Sequence, residues 1–214
     1  MPWHAKPRGR YYLTDQDGLD NTWMAWNLLG SLGWTETAFA GLWGNSGSEG
    51  QYNPWRWQGD NILSSDDPDI DTTPSTAHAY GLCQFDPAGK YIHDSRAQSL
   101  SGYGPNFSNR VGNVNDGNAQ LLFINSYADY YQTSSFPISY AAYKADTTHS
   151  IAWMVEAWAR NYERPRESDL INTLPYRISE AEKTLEIIGG TPPTPPTPPS
   201  SRKLPIFFYI RYPF

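Results

Sequence analysis

The run from Ile151 to Tyr162 constrains the fold more than any other part of this chain. Ile151, Val155, Trp158 and Tyr162 are spaced by four, three and four residues, and an α-helix brings that spacing onto one face. Thr147 or Thr148 is the expected N-cap, and Pro165 bars continuation. A second stretch behaves in the same way: Ile178, Ala181, Leu185 and Ile188 recur at three, four and three. It predicts a helix from about Pro175 to Ile188, ended by Gly189-Gly190. Two amphipathic helices need apolar partners, so the chain is expected to be mainly α.

The remaining segments supply those partners. Trp23, Trp26 and Leu29 predict a helix from about Asn21, capped by Asp20 or Asn21 and stopped at Gly33. Thr35 caps a second, with Phe39, Leu42 and Trp43 on its stripe. Further helices are expected at Ala88–Ser95, at Gly117–Gln132 and at Tyr140–Lys144. Tyr80 to Phe85 reads as a short strand or hairpin edge closed by the Asp86-Pro87 turn. Residues 59–79 are rich in Asp, Ser, Thr and Pro and read as a long loop or irregular β-region. Their five aspartates do not follow the spacing of a calcium loop.

Domain organisation follows: a lead-in at 1–19, a globular unit at 20–190, a spacer at 191–199 and a tail at 200–214. The spacer, TPPTPPTPP, suits polyproline II and spans roughly 28 Å at about 3.1 Å per residue. The tail, SSRKLPIFFYIRYPF, is apolar and basic and too short for its own core. It is expected to dock as a tether on a partner protein, an edge strand or a membrane interface.

A net charge of -6 argues against a nucleic-acid partner. Cys83 is the single cysteine, so no disulfide framework forms within the chain, and a small buried residue is the expected role. The N-terminus lacks the apolar run of a signal peptide. The four histidines lack paired zinc spacing, and neither cofactor nor metal is expected. Aromatic residues make up 15% of the chain. They serve either a Trp-rich core or a groove of rings that pack on sugar faces.

One carboxylate stands out in GLWGNSGSEGQYNPWRWQGDN, residues 41–61. Extended at 100° per residue, the second helix places Glu49 about 80° from Phe39, on the rim of the buried face. A carboxyl bordered by apolar and aromatic groups can be held protonated near neutral pH, as a general acid requires. Gly44, Gly47 and Gly50 weaken the extension, each by about 1 kcal/mol. On the alternative reading the helix stops at Gly44 and Glu49 is an ordinary loop residue.

Three segments occur in order: GWTETAFAGLWGNSGSEGQYNPWRWQGDN, AYGLCQFDPAGKYIHD and AWARNYERP. Together they resemble the bacteriophage tail lysozyme family, and the E…NP…GL.Q..P arrangement is similar to the signature of soluble lytic transglycosylases. The resemblance implies an α-rich, two-lobed lysozyme-like domain. Its catalytic glutamate ends a helix beside a small β-hairpin or irregular insertion, with the glycan in the cleft. On that match Glu49 is the acid. Gln84 binds substrate or positions a water, and Tyr162 lines the cleft. Tyr80, Phe85, Trp55 and Trp57 are candidate sugar-subsite walls, and Asp60 is the candidate second carboxylate. Glu163 is expected to pair with Arg160, Arg164 or Arg166. Gly50 stands where the family has Ser, and Phe85 where it has Trp.

The implied activity is muramidase-type cleavage of peptidoglycan by a virion tail protein, whose tail segment contacts other tail proteins. The alternatives are a lytic transglycosylase giving 1,6-anhydro products and an inactive wall-binding protein.

Overall fold

The computed structural model describes residues 3–5, 13–56, 79–104, 116–126, 128–133 and 136–190. The expected loop at 59–79, the spacer and the tail therefore lie outside the described residues, apart from Ala79. The fold is mainly helical, as the periodicity predicts. Helix α1 spans Asp15–Ser31, α2 Glu36–Glu49, α3 Gly89–Ile92, α4 Ser95–Gln98 and α5 Asp116–Ser126. A 3-10 turn at Ala128–Tyr130 follows, then α6 at Tyr140–Lys144 and α7 at Ile151–Trp158. A π-helical turn at Ala159–Glu163 leads into α8, Glu167–Ile188. Among the described residues the β-contribution is a single antiparallel bridge between Tyr80 and Phe85.

Two helices start earlier than their apolar stripes suggest. In α1 the cap is Thr14, not Asp20 or Asn21. Asp17 N donates to Thr14 Oγ1 at 3.2 Å and Thr14 N to Asp17 Oδ2 at 2.9 Å. This reciprocal capping box adds a polar turn that carries no apolar signal. Asn21 is buried instead, its side chain bonded to the backbone of His4 and Tyr52. Helix α8 begins at Glu167 and carries Pro175 inside it. Pro175 and Ile171 are both exposed, so the Ile171 carbonyl that loses its helical partner has access to water, and the helix continues through the proline. The cap of α7 is Ser150, whose hydroxyl accepts from Trp153 N, because Thr148 is taken up in a turn with Asp146.

Helix α2 is the centre of the molecule. Thr35 caps it, as expected, and every residue from Ala38 to Gly47 is buried. It packs mainly against α8 and α7. Phe39 stacks on Trp43 at 5.5 Å between ring centroids, and Trp43 on Tyr52 at 5.4 Å. Trp34 and Trp158 join the same core. For most of the tryptophans the core reading of the aromatic content is therefore the right one.

The glycines that weaken α2 in isolation are what allow it to be surrounded. A Cβ at Gly44 would stand 2.5 Å from the Arg177 carbonyl oxygen and 2.7 Å from Ala181 Cβ. The backbone of α8 can come this close only because Gly44 has no side chain. Replacing Gly44 with Ala is accordingly expected to destabilise the protein by about 1–3 kcal/mol through overpacking, despite alanine's better helix propensity. Gly18 in α1 is the control: its Cβ would meet nothing closer than 3.7 Å, and Gly18→Ala is expected to stabilise by roughly 0.5 kcal/mol. Urea melts of the two variants separate packing from propensity.

Candidate active site

Helix α2 runs to Glu49, so the reading in which it stops at Gly44 does not hold. Gly50 is its C-cap, and Gly50 N donates to Ser46 O at 2.7 Å. A cleft of about 660 Å³ opens at this end. Glu49, Gln84, Phe85, Tyr162, Glu163 and Arg177 all lie on its wall. The structure thus brings together four of the eight residues singled out from the sequence. Phe85 and Tyr162 show the cleft only a small part of their rings, 4% and 7% exposed, whereas Trp55 and Tyr80, 4% and 1% exposed, are not among the residues lining this cleft. Trp57 and Asp60 lie outside the described residues.

The turn from Tyr80 to Phe85 is pinned beside Glu49 by buried polar groups. The carboxylate of Asp116 accepts from Tyr80 Oη at 2.6 Å, Tyr91 Oη at 2.7 Å, Gln120 Nε2 at 2.7 Å and Gly104 N at 3.2 Å. Gln120 in turn accepts from Leu82 N at 2.8 Å and donates to Pro54 O at 2.7 Å. Burial raises the Asp116 carboxyl, and the hydrogen bonds from Tyr80, Tyr91 and Gln120 oppose the rise. The turn then lies flat on Gly50. A Cβ there would stand 2.5 Å from Leu82 O and 2.8 Å from Gly81 O. Gly50 is therefore a packing requirement of this chain, and a serine in its place would collide with the turn.

Gln84 adopts a left-handed backbone, φ 44. Its amide nitrogen donates to Arg56 O at 3.1 Å and Gly81 O at 3.0 Å, which leaves the carboxamide oxygen for the cleft. Cys83 is buried with Sγ 3.3 Å from Ser46 Oγ, and burial pushes its thiol up. Tyr162 stacks on Trp158 at 4.4 Å. Its Oη is buried with no hydrogen-bond partner among the described residues.

Glu49 is not the isolated carboxylate that its neighbours in sequence suggest. Its Oε1 accepts from Arg177 Nη2, and its side chain remains 33% exposed. Arg177 is only 2% exposed, and its second terminal nitrogen donates to Glu163 Oε2 and, at 2.6 Å, to Asn45 Oδ1. Its Nε donates to Thr173 Oγ1 at 3.0 Å. One buried guanidinium thus joins two carboxylates across the end of α2.

The partner of Glu163 is therefore Arg177, not Arg160, Arg164 or Arg166. Arg160 is occupied by Glu156 at 2.7 Å and Glu167 at 2.8 Å, and Arg164 donates to Tyr130 O at 2.9 Å. The π-helical turn and the left-handed Arg164, φ 55, complete the backbone around Glu163. Arg177 did leave a trace in the sequence. It stands four residues before Ala181 and so falls on the apolar stripe of α8, where a charge demands a buried partner.

Glu163 carries the displaced proton affinity of this cluster. Burial pushes its carboxyl from 4.5 up to about 7; Arg177 opposes the rise and the Glu49 charge reinforces it. The folded state therefore holds this proton more tightly than the unfolded chain does. The resulting stabilisation is full below about 4.5 and is lost as pH rises through about 7. Relative to Glu163→Gln, the wild type is expected to lose on the order of 3 kcal/mol across that window. Melting temperatures of both proteins measured from pH 4 to pH 8 check the sign.

A sequence profile of the phage tail lysozyme family matches residues 20–188. The matched region holds the whole of the cleft just described, from Glu49 to Arg177. The chain belongs to the phage tail lysozyme family.

Proposed function

We propose that this protein cuts the glycan strands of bacterial peptidoglycan in the cleft at the end of α2, with Glu49 as the proton donor. Family membership supports a phage-associated, glycosidase-type cell-wall lysozyme. The observation that carries the assignment of Glu49 is its position. It is a half-buried carboxylate at a helix terminus, with one oxygen held by Arg177 and the side chain open to a cleft of about 660 Å³.

Cleavage begins with proton transfer from the Glu49 carboxyl to the bridging oxygen between N-acetylmuramic acid and N-acetylglucosamine. The bond from that oxygen to the anomeric carbon breaks, and positive charge develops on the sugar ring. In the muramidase reading a water then attacks the anomeric carbon and gives up its proton to the Glu49 carboxylate, which restores the acid. The carboxamide oxygen of Gln84 serves to orient that water or a sugar hydroxyl, and Phe85 and Tyr162 serve as apolar walls. Asp60 keeps its proposed role as second carboxylate from the sequence.

A second reading is favoured by one observation. Glu163, the carboxylate that shares Arg177 with Glu49, is 7% exposed against 33% for Glu49, so it has little access to the anomeric carbon. With Glu49 as the sole acid and base, the sugar's own 6-hydroxyl closes onto the anomeric carbon and leaves a 1,6-anhydro end. Digestion of purified peptidoglycan followed by mass spectrometry distinguishes the two: new reducing ends mean hydrolysis, and anhydro-muropeptides mean transglycosylation. Glu49→Gln is expected to lower either activity by at least about 100-fold. Equal cleavage by wild type and variant removes Glu49 from the mechanism.

Residues 191–199 and 200–214 are assigned, on sequence alone, as spacer and tether to other tail proteins of the virion. Deleting residues 191–214 is expected to leave glycan cleavage intact and to abolish incorporation into particles. Normal incorporation, read by immunoblot of purified virions, overturns the tether.

A further inference from the structure

We infer that Glu163, acting through Arg177, is a positioning residue that lets Glu49 hold the proton it must donate. The inference rests on the reading of Glu49 as the acid. It starts from the charge count of a buried cluster. Two carboxylates share one guanidinium, so with both ionised the site carries one uncompensated negative charge. With one proton on the pair the cluster is neutral, and a poorly solvated site favours that state. One proton therefore neutralises the cluster, and its place is set by how well each carboxylate is solvated.

The guanidinium cannot swing aside to serve one carboxylate alone. Its nitrogens are also held by Asn45 at 2.6 Å and Thr173 at 3.0 Å. Asn45 is itself fixed, donating to Gly41 O at 2.8 Å and Val155 O at 3.1 Å. The two carboxylates differ in solvation: Glu49 is 33% exposed and Glu163 7%. Glu163 Oε1 is buried without a hydrogen bond of normal geometry; the indole N–H of Trp158 favours its charged form, but less than burial disfavours it. In the empty cleft the proton therefore resides on Glu163, and Glu49, in contact with water, carries the charge.

A glycan strand lying on Glu49 removes that water and reverses the preference. As the strand seats, Glu163 releases its proton to solvent and Glu49 binds one before the last water leaves: carboxyl plus carboxylate gives carboxylate plus carboxyl, with no net change. Ionised Glu163 then takes up the charge of Arg177, and Glu49 is a loaded acid facing the substrate.

The other titratable groups around the cluster do not supply this function. Cys83, Tyr143 and Tyr162 are buried and held neutral. Glu180, further along α8, is occupied by Tyr52 at 2.7 Å and Lys183 at 2.6 Å. On the cleft wall Asp86, Arg166 and Asp169 are exposed, and Lys90 and Arg164 are half-buried. Their charges are screened by solvent.

The test is the pH dependence of kcat/KM on purified peptidoglycan for the wild type, Glu163→Gln and Glu163→Asp. A general acid must be protonated, so activity falls on the alkaline side. In Glu163→Gln the guanidinium belongs to Glu49 alone, which favours the ionised form, and the alkaline fall is expected at least about 1 pH unit lower. Glu163→Asp, which keeps the second charge, is expected to return the fall toward the wild-type position. A pH-independent loss of rate with the profile unmoved means that Glu163 is structural only, and overturns the inference.

Carbon-13 NMR of glutamate carboxyl groups reads the same pair without substrate. A titration near pH 7 is expected on Glu163 in the wild type, moved to lower pH in Glu49→Gln, which removes the neighbouring negative charge; a Glu163 titration that Glu49→Gln leaves unmoved also overturns the inference. If Glu163→Gln melts below the assay temperature, Glu163→Asp and the NMR titrations decide. Absence of glycan cleavage by the wild type at every pH refutes Glu49 as the acid, whereas cleavage with an unmoved profile refutes only the role of Glu163.

Discussion

The guanidinium of Arg177 is the charge around which the cleft is organised. It joins the end of α2, through Glu49 and Asn45, to the π-helical turn, through Glu163, and both of them to α8. Removing such an ion from water costs several kcal/mol and is offset only when its donors are satisfied with good geometry. Here Nε and both terminal nitrogens have partners. The position of Arg177 depends in turn on Gly44, because a Cβ there would stand 2.5 Å from the Arg177 carbonyl oxygen. A bare patch on the central helix thus sets how deep the charge can sit.

The other wall of the cleft is built by the opposite means. Asp116 gathers four donors and Gln120 links it to the Tyr80–Phe85 turn. The turn rests on Gly50 as α8 rests on Gly44. Both walls meet α2 at glycines, one on its side and one at its end. Their carboxylates work differently, however. Asp116 is surrounded by neutral donors and serves the backbone, whereas Glu49 and Glu163 share a cation and lie on the cleft wall.

Much of this was legible in the sequence wherever burial follows a period. The stripes of α2, α7 and the second half of α8 were clear, as were Thr35 as a cap and Gly189 as a stop. The start of α1 was not, because a capping box of Thr14 and Asp17 is polar and local. The start of α8 was hidden by Pro175, whose cost depends on whether the orphaned carbonyl reaches water. The site was legible only in part. Glu49, Gln84, Phe85 and Tyr162 come together as their motif order implies. Trp55 and Tyr80 look, as letters, like good sugar platforms, yet they are not on the cleft wall. The Glu49–Arg177 contact spans 128 residues, a distance at which no local rule operates. The arginine on an apolar stripe was the only trace of it.

That trace also bears on why the cluster exists. Volume-matched apolar residues in place of a buried ion pair are often neutral or stabilising, so stability alone gives little reason to keep three charged groups here. Glu163 costs stability as pH rises toward neutral, since burial pushes its carboxyl up to about 7. A cleft that must deliver a proton gains from a second carboxylate that cannot leave, because the shared cation then stabilises whichever of the two is ionised. On the role proposed for Glu49, the cost in stability and its readiness as an acid are two consequences of the same excess charge.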